Sequence, residues 1–141
     1  MMHLEEITAA VSLGQAGDRD AARAQLAALW DAVDDRQTRC AIAHYLADLQ
    51  DETSDELTWD LRALEVVEDT AWLPSLHLNL ADDYRRLAHP LQAEEHLQLA
   101  HEHLHLLPAD GYGEVIRSAV DHVTEALATG NTDRLSSNPS T

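Results

Sequence analysis

Between Pro74 and Leu107 the chain reads PSLHLNLADDYRRLAHPLQAEEHLQLAHEHLHLL, and no other stretch limits the fold as strongly. Leu80, Ala81 and, one turn later, Tyr84 fall together on a first helix. Ala93, Leu97 and Ala100 follow at spacings of four and three, which places them on one face of a second helix. Small Ala81 and Ala93 let two helix backbones approach closely, and Tyr84 and Leu97 fill the space beside them. The pattern predicts an antiparallel helical hairpin.

Two weaker copies precede it. In the first, Ala9, Ala10 and Leu13 occupy the first helix, Gly17 and Asp18 make the turn, and Ala22, Leu26 and Leu29 line the second. Asp18 is placed to cap that second helix by accepting amides of its first turn. In the other copy Ala43, His44 and Ala47 hold the first-helix positions, and Thr53 with Glu56 forms a capping-box pattern. Ala63 there corresponds to Leu29 and Ala100, and Asp60 stands where a large apolar residue is expected. The anchors Ala10, His44 and Ala81 lie 34 and then 37 residues apart, so this copy carries about three extra residues before Pro74. After Pro108-Ala109-Asp110-Gly111, the set Tyr112, Val115, Ile116, Ala119, Val120, Val123 and Leu127 makes one apolar stripe of a seventh helix. A stacked array exposes an apolar end, and this helix is expected to cover it.

The pattern resembles the tetratricopeptide-repeat family, most specifically over the third copy, and with the cap it covers about nine tenths of the chain. The LHLNLADDYR run and the GYG segment make it similar to small actinobacterial members. The resemblance implies an all-α, right-handed α-α superhelix with repeats at 3–36, 37–73 and 74–107, and a capping helix at 110–128. The polar residues 129–141 lack periodicity and are expected to be a disordered tail.

Composition narrows the function classes. The net charge of −17 leaves no basic stripe for nucleic acid or for an anionic membrane surface, and favours a basic peptide or protein face. Acidity that serves only solubility is the alternative. No run of eighteen apolar residues is present, and the Met1-Met2-His3-Leu4 start is not expected to act as a signal peptide. The single Cys40 suits a reducing cytoplasm. All nine basic residues are arginine and phenylalanine is absent, the bias of a GC-rich bacterial genome such as an actinobacterium's.

In the family the first helices line a ligand groove, and the resemblance carries that role to Leu4, Ile7, Val11, Tyr45, Asp48, Leu78, Asn79, Asp82, Arg85 and Arg86. Asn79 matches a position that holds a ligand's backbone, since an amide both donates and accepts. The family's carboxylate clamp is not expected, because Ile7, Val11 and Ile42 stand where its Lys and Asn residues belong. Arg85 and Arg86 have two readings: bidentate contact with a partner's carboxylate, or pairing with Asp82, Asp83 or Asp48 of the chain itself. Double substitution of Asn79 and Arg86 by alanine is then expected to weaken binding with little effect on melting.

Nine histidines invite a metal reading, and His101 with His105, one turn apart, are its candidates. No further Cys or His motif completes four ligands and HExxH is absent, so a solvated histidine-rich face is the alternative. Several histidines together would also lower the negative charge on acidification. Trp30, Trp59 and Trp72 are expected to pack between repeats. No catalytic constellation and no cofactor motif emerges. The expected role is a protein-interaction scaffold, with self-association, or metal or pH sensing through the histidine-rich helix, as alternatives.

Overall fold

A computed structural model describes residues 3–135. The chain is all-α, as its periodicity predicts. Among the described residues it forms α1 (Leu4–Gln15), α2 (Arg19–Ala32), α3 (Arg36–Asp48), α4 (Thr53–Val66), α5 (Leu73–Arg86), α6 (Pro90–His103) and α7 (Gly111–Ala128). Short 3₁₀ turns precede α5 at Thr70–Trp72 and follow α6 at Leu104–Leu106. The helices are grouped in two compact units, Met1–Glu68 and Asp69–Thr141.

In the first unit α1 packs on α2, α3 on α4, and α2 also on α3. Its core gathers Ala10, Ala22, Leu26 and Leu29, which the hairpin pattern puts on helix faces, together with Ile7, Ile42 and Leu46. Trp30 of α2 meets Trp59 of α4 edge to face at 5.4 Å, so these two indoles do pack between hairpins. Arg39 covers Trp30 with its guanidinium 3.8 Å from the ring centre, and Arg62 lies 4.4 Å over Trp59. Asp18 caps α2 by accepting from the Ala21 amide, and Asp35 caps α3 through Thr38. Asp60 is buried at 2% exposure where the repeat pattern asks for an apolar side chain.

In the second unit α5 packs on α6, and α7 packs on both. Leu78, Ala81, Leu97 and Ala100 meet Ile116, Val120 and Val123 of the α7 stripe, whereas its first two members, Tyr112 and Val115, are each 50% exposed. Asp110 caps α7 by accepting from the Gly113 amide at 3.0 Å.

One turn chemistry recurs in both units. α1, α5 and α7 end in the same Schellman motif, whose outer hydrogen bonds run from Asp18 to Leu13 (3.1 Å), His89 to Tyr84 (2.8 Å) and Asn131 to Ala126 (2.9 Å). The left-handed residue that the motif needs is Gly17 at φ 99°, Ala88 at φ 60° and Gly130 at φ 72°. Ala88 therefore adopts a conformation that glycine adopts without a Cβ penalty. Within the stretch expected to be a disordered tail, Leu135 packs on the core of the second unit and the Asn131 carbonyl accepts from Arg85. The remainder of that expected tail, residues 136–141, lies outside the described residues.

Candidate functional site

The residues expected to line a groove fall in both units and in different environments. In the first unit Leu4 is 53% exposed, Val11, Tyr45 and Asp48 are partly buried, and Ile7 belongs to the core. In the second unit all of them lie on α5, whose residues from Pro74 to Asp83 are uniformly buried. Leu78 is fully buried, and Asn79, Asp82 and Arg85 are 4%, 2% and 2% exposed. An amphipathic stripe marks one face of a helix; it does not say that the polar face is covered as well.

Asp82 is the centre of a buried ionic network. Its Oδ1 accepts from Arg85 Nε at 3.1 Å and Arg85 Nη2 at 2.7 Å, and its Oδ2 accepts from Arg86 Nε at 3.0 Å. Arg86 Nη2 also donates to Asp83 at 3.1 Å, and Arg85 Nη1 donates to the Asn131 carbonyl at 2.6 Å. The spacings of three and four residues put these groups within reach on one helix. Of the two readings of Arg85 and Arg86, the geometry is that of internal pairing with Asp82 and Asp83. The Arg86 side chain is only 5% exposed, so the Asn79 and Arg86 substitutions perturb the interior and do not serve as a clean probe of a groove.

A second cluster joins α5 to α6 through histidines. His77 Nδ1 lies 3.1 Å from His96 Nδ1, so one ring donates to the other. The His77 and His103 rings lie near-parallel with centres 5.8 Å apart, and Tyr84 stacks against His96 at 5.6 Å. His103 Nδ1 lies 2.7 Å from the Leu99 carbonyl, which only accepts, so that nitrogen carries the proton. Burial first, then the neighbouring His96 and His103, push the His77 pKa down to about 4. Burial also lowers His96, against an opposing pull from Glu95.

The spacing of seven puts His96 and His103 on one face of α6, but nothing local joins them to His77, which lies 19 residues before His96 on another helix. The i, i+7 spacing of His96 and His103 was the available signal. The two residues singled out for metal binding sit elsewhere. His101 is exposed at the end of α6, and His105 lies in the following 3₁₀ turn with Nδ1 2.9 Å from the Glu102 carbonyl.

The second unit also carries a groove of about 470 Å³ between α6 and α7. Leu97 and Leu127 contribute its apolar surface, and Glu94, Gln98, His101 and Thr124 its polar surface. No arginine borders it. Leu91, one turn before Glu94 on α6, is 76% exposed.

Every arginine is already engaged within the chain. Arg19 and Arg23 reach Asp51, and Arg36 donates to the Glu65 carbonyl. Arg39 and Arg62 cover indoles, and Arg85 and Arg86 bind Asp82. Arg117 donates to the Leu104 and Leu107 carbonyls, and Arg134 is engaged as well. Among the described residues twenty-one carboxylate side chains are exposed against four arginines. Among the described residues no helix is long and apolar enough to cross a membrane. Comparison with known proteins found no matching family model, no matching curated protein and no matching solved structure.

Proposed function

We propose that this protein is an interaction module that holds a basic, amphipathic segment of a partner protein. The observation that supports it most is the excess of exposed carboxylates over arginines, with each arginine already engaged inside the chain. Such a surface attracts cationic partners over a Debye length and repels nucleic acid and anionic lipid. Tandem helical hairpins of the kind that resemble tetratricopeptide repeats supply rigid helix faces for this purpose.

The groove between α6 and α7 combines apolar contact with negative charge. Leu97 and Leu127 offer apolar contact, Glu94 is at the groove, and Asp121 and Glu125 are exposed on α7 beside Thr124. A helix with leucines along one stripe and arginines on either side matches that chemistry.

Fluorescence anisotropy with a labelled leucine–arginine amphipathic peptide tests the reading. A control peptide has each arginine replaced by glutamate. Binding of the basic peptide alone, weakened by salt and by Glu94→Arg with Glu125→Arg, is expected. Glu5→Arg with Glu6→Arg on α1 should leave most of that binding in place. Equal binding of both peptides, or binding indifferent to salt, refutes the proposal.

A further inference from the structure

The His77–His96 contact has a property that does not depend on any partner. The His77 side chain is 7% exposed and comes from α5, whereas His96 and His103 come from α6. At neutral pH one imidazole of the pair donates Nδ1–H to the lone pair of the other across 3.1 Å. A first added proton goes to the outer Nε2 of the donor ring, and the bond between the rings survives. A second proton must occupy the Nδ1 that accepts that bond. It sets two N–H groups against each other at the same separation and two cations side by side. His103, with its own ring 5.8 Å from His77, is a third site of charge in the same space.

We propose that His77, His96 and His103 form a proton-operated latch that holds α5 against α6 when neutral and releases the hairpin when doubly charged. From α5 comes Tyr84, stacked on His96. From α6 come His103 and Glu95, and the Glu95 carboxylate favours a proton on His96. His89, at the start of α6, touches Tyr84 edge-on at 6.3 Å. Tyr112 of α7 lies 2.6 Å from the hydroxyl of Ser75, two residues before His77. None of these supplies a carboxylate to His77 itself, and its lowered proton affinity is traced to burial and to His96 and His103. The latch therefore resists charge while closed and accepts it on opening, which makes opening depend on pH.

The test is hydrogen exchange of the full chain, with amide protection expressed relative to the intrinsic rate at each pH. Between pH 7 and pH 5, protection in α5 and α6 should fall about tenfold, a span set by the 6.5 of an open histidine and the depressed value of the closed one. Protection in α1 and α2 should change much less. The His77→Phe/His96→Phe variant keeps two flat rings and removes the two groups whose protons oppose each other, so its protection in α5 and α6 should depend on pH much less over that range. An undiminished pH dependence in that variant overturns the proposal. Should the variant fail to fold, the wild-type ring signals decide. His77 must stay neutral above pH 5 in the folded protein, and a His77 midpoint near 6.5 overturns the latch.

Discussion

Removing the Asp82 carboxylate tests the ionic network at its centre. Asp82 accepts three N–H groups from two guanidiniums, and the side chains of Asp82, Arg85 and Arg86 are 3%, 1% and 5% exposed. Loss of one partner from a buried ion pair costs about 3–5 kcal/mol, because a charge remains desolvated without its counter-charge. In Asp82→Ala, Arg86 keeps Asp83 and Arg85 keeps the Asn131 carbonyl, which places the cost near the lower end, about 3 kcal/mol.

At about 2 cal/mol/K per residue, cooperative unfolding of 141 residues corresponds to a fall in Tm of roughly 10 °C. Urea and thermal unfolding followed by circular dichroism measure both quantities. Combining Asp82→Ala with Arg85→Met should recover part of the loss, since the variant no longer buries the cation that had lost its main counter-charge. A loss under about 1 kcal/mol for Asp82→Ala would refute the reasoning, as it is the value expected of a solvated surface pair.

Three further outcomes follow from named contacts. Ala88→Gly should stabilise by about 0.5–1 kcal/mol, because relief of the left-handed strain exceeds the entropy glycine loses on folding; chemical denaturation shows it, and a loss of stability would count against the turn geometry. Asp110→Ala removes the cap of α7 and should cost about 1 kcal/mol, with fraying of that helix visible in hydrogen exchange. Stability should also depend on pH through His77, whose folded pKa of about 4 lies below the unfolded 6.5. The unfolded state binds more protons between those values, so this contribution is complete above about pH 6.5 and lost as the pH falls towards 4. After allowance for solvent screening it amounts to about 2 kcal/mol, read as a rising urea midpoint from pH 4.5 to 7 that flattens in His77→Phe/His96→Phe.

The amino-acid sequence by itself determined the helices, their pairing into hairpins and the Asp18 cap of α2. These depend on residues three or four apart: Ala93, Leu97 and Ala100 make a stripe wherever they are placed, and Asp18 meets the Ala21 amide through local geometry. The apolar face of α7 was legible for the same reason. The Thr53–Glu56 capping box, by contrast, gives way to a helix start at Thr53 with Glu52 as N-cap and no side-chain cap bond. What the sequence could not decide was which polar residues the fold would enclose. Arg85 and Arg86 read either as ligand contacts or as internal partners of Asp82, because i, i+3 and i, i+4 spacing permits the pairing without saying whether water is excluded.

His77 carried even less signal, since its significance arises when α6 brings His96 to 3.1 Å from it. The tail shows the same limit, where a polar stretch without periodicity is held by Arg85 through a backbone carbonyl that has no side-chain signature. Local periodicity sets where helices form because a helix is closed by neighbours in the chain. Tertiary structure alone decided the charge state of His77 and the task of Arg85, because desolvation is set by whatever packs against a residue in space.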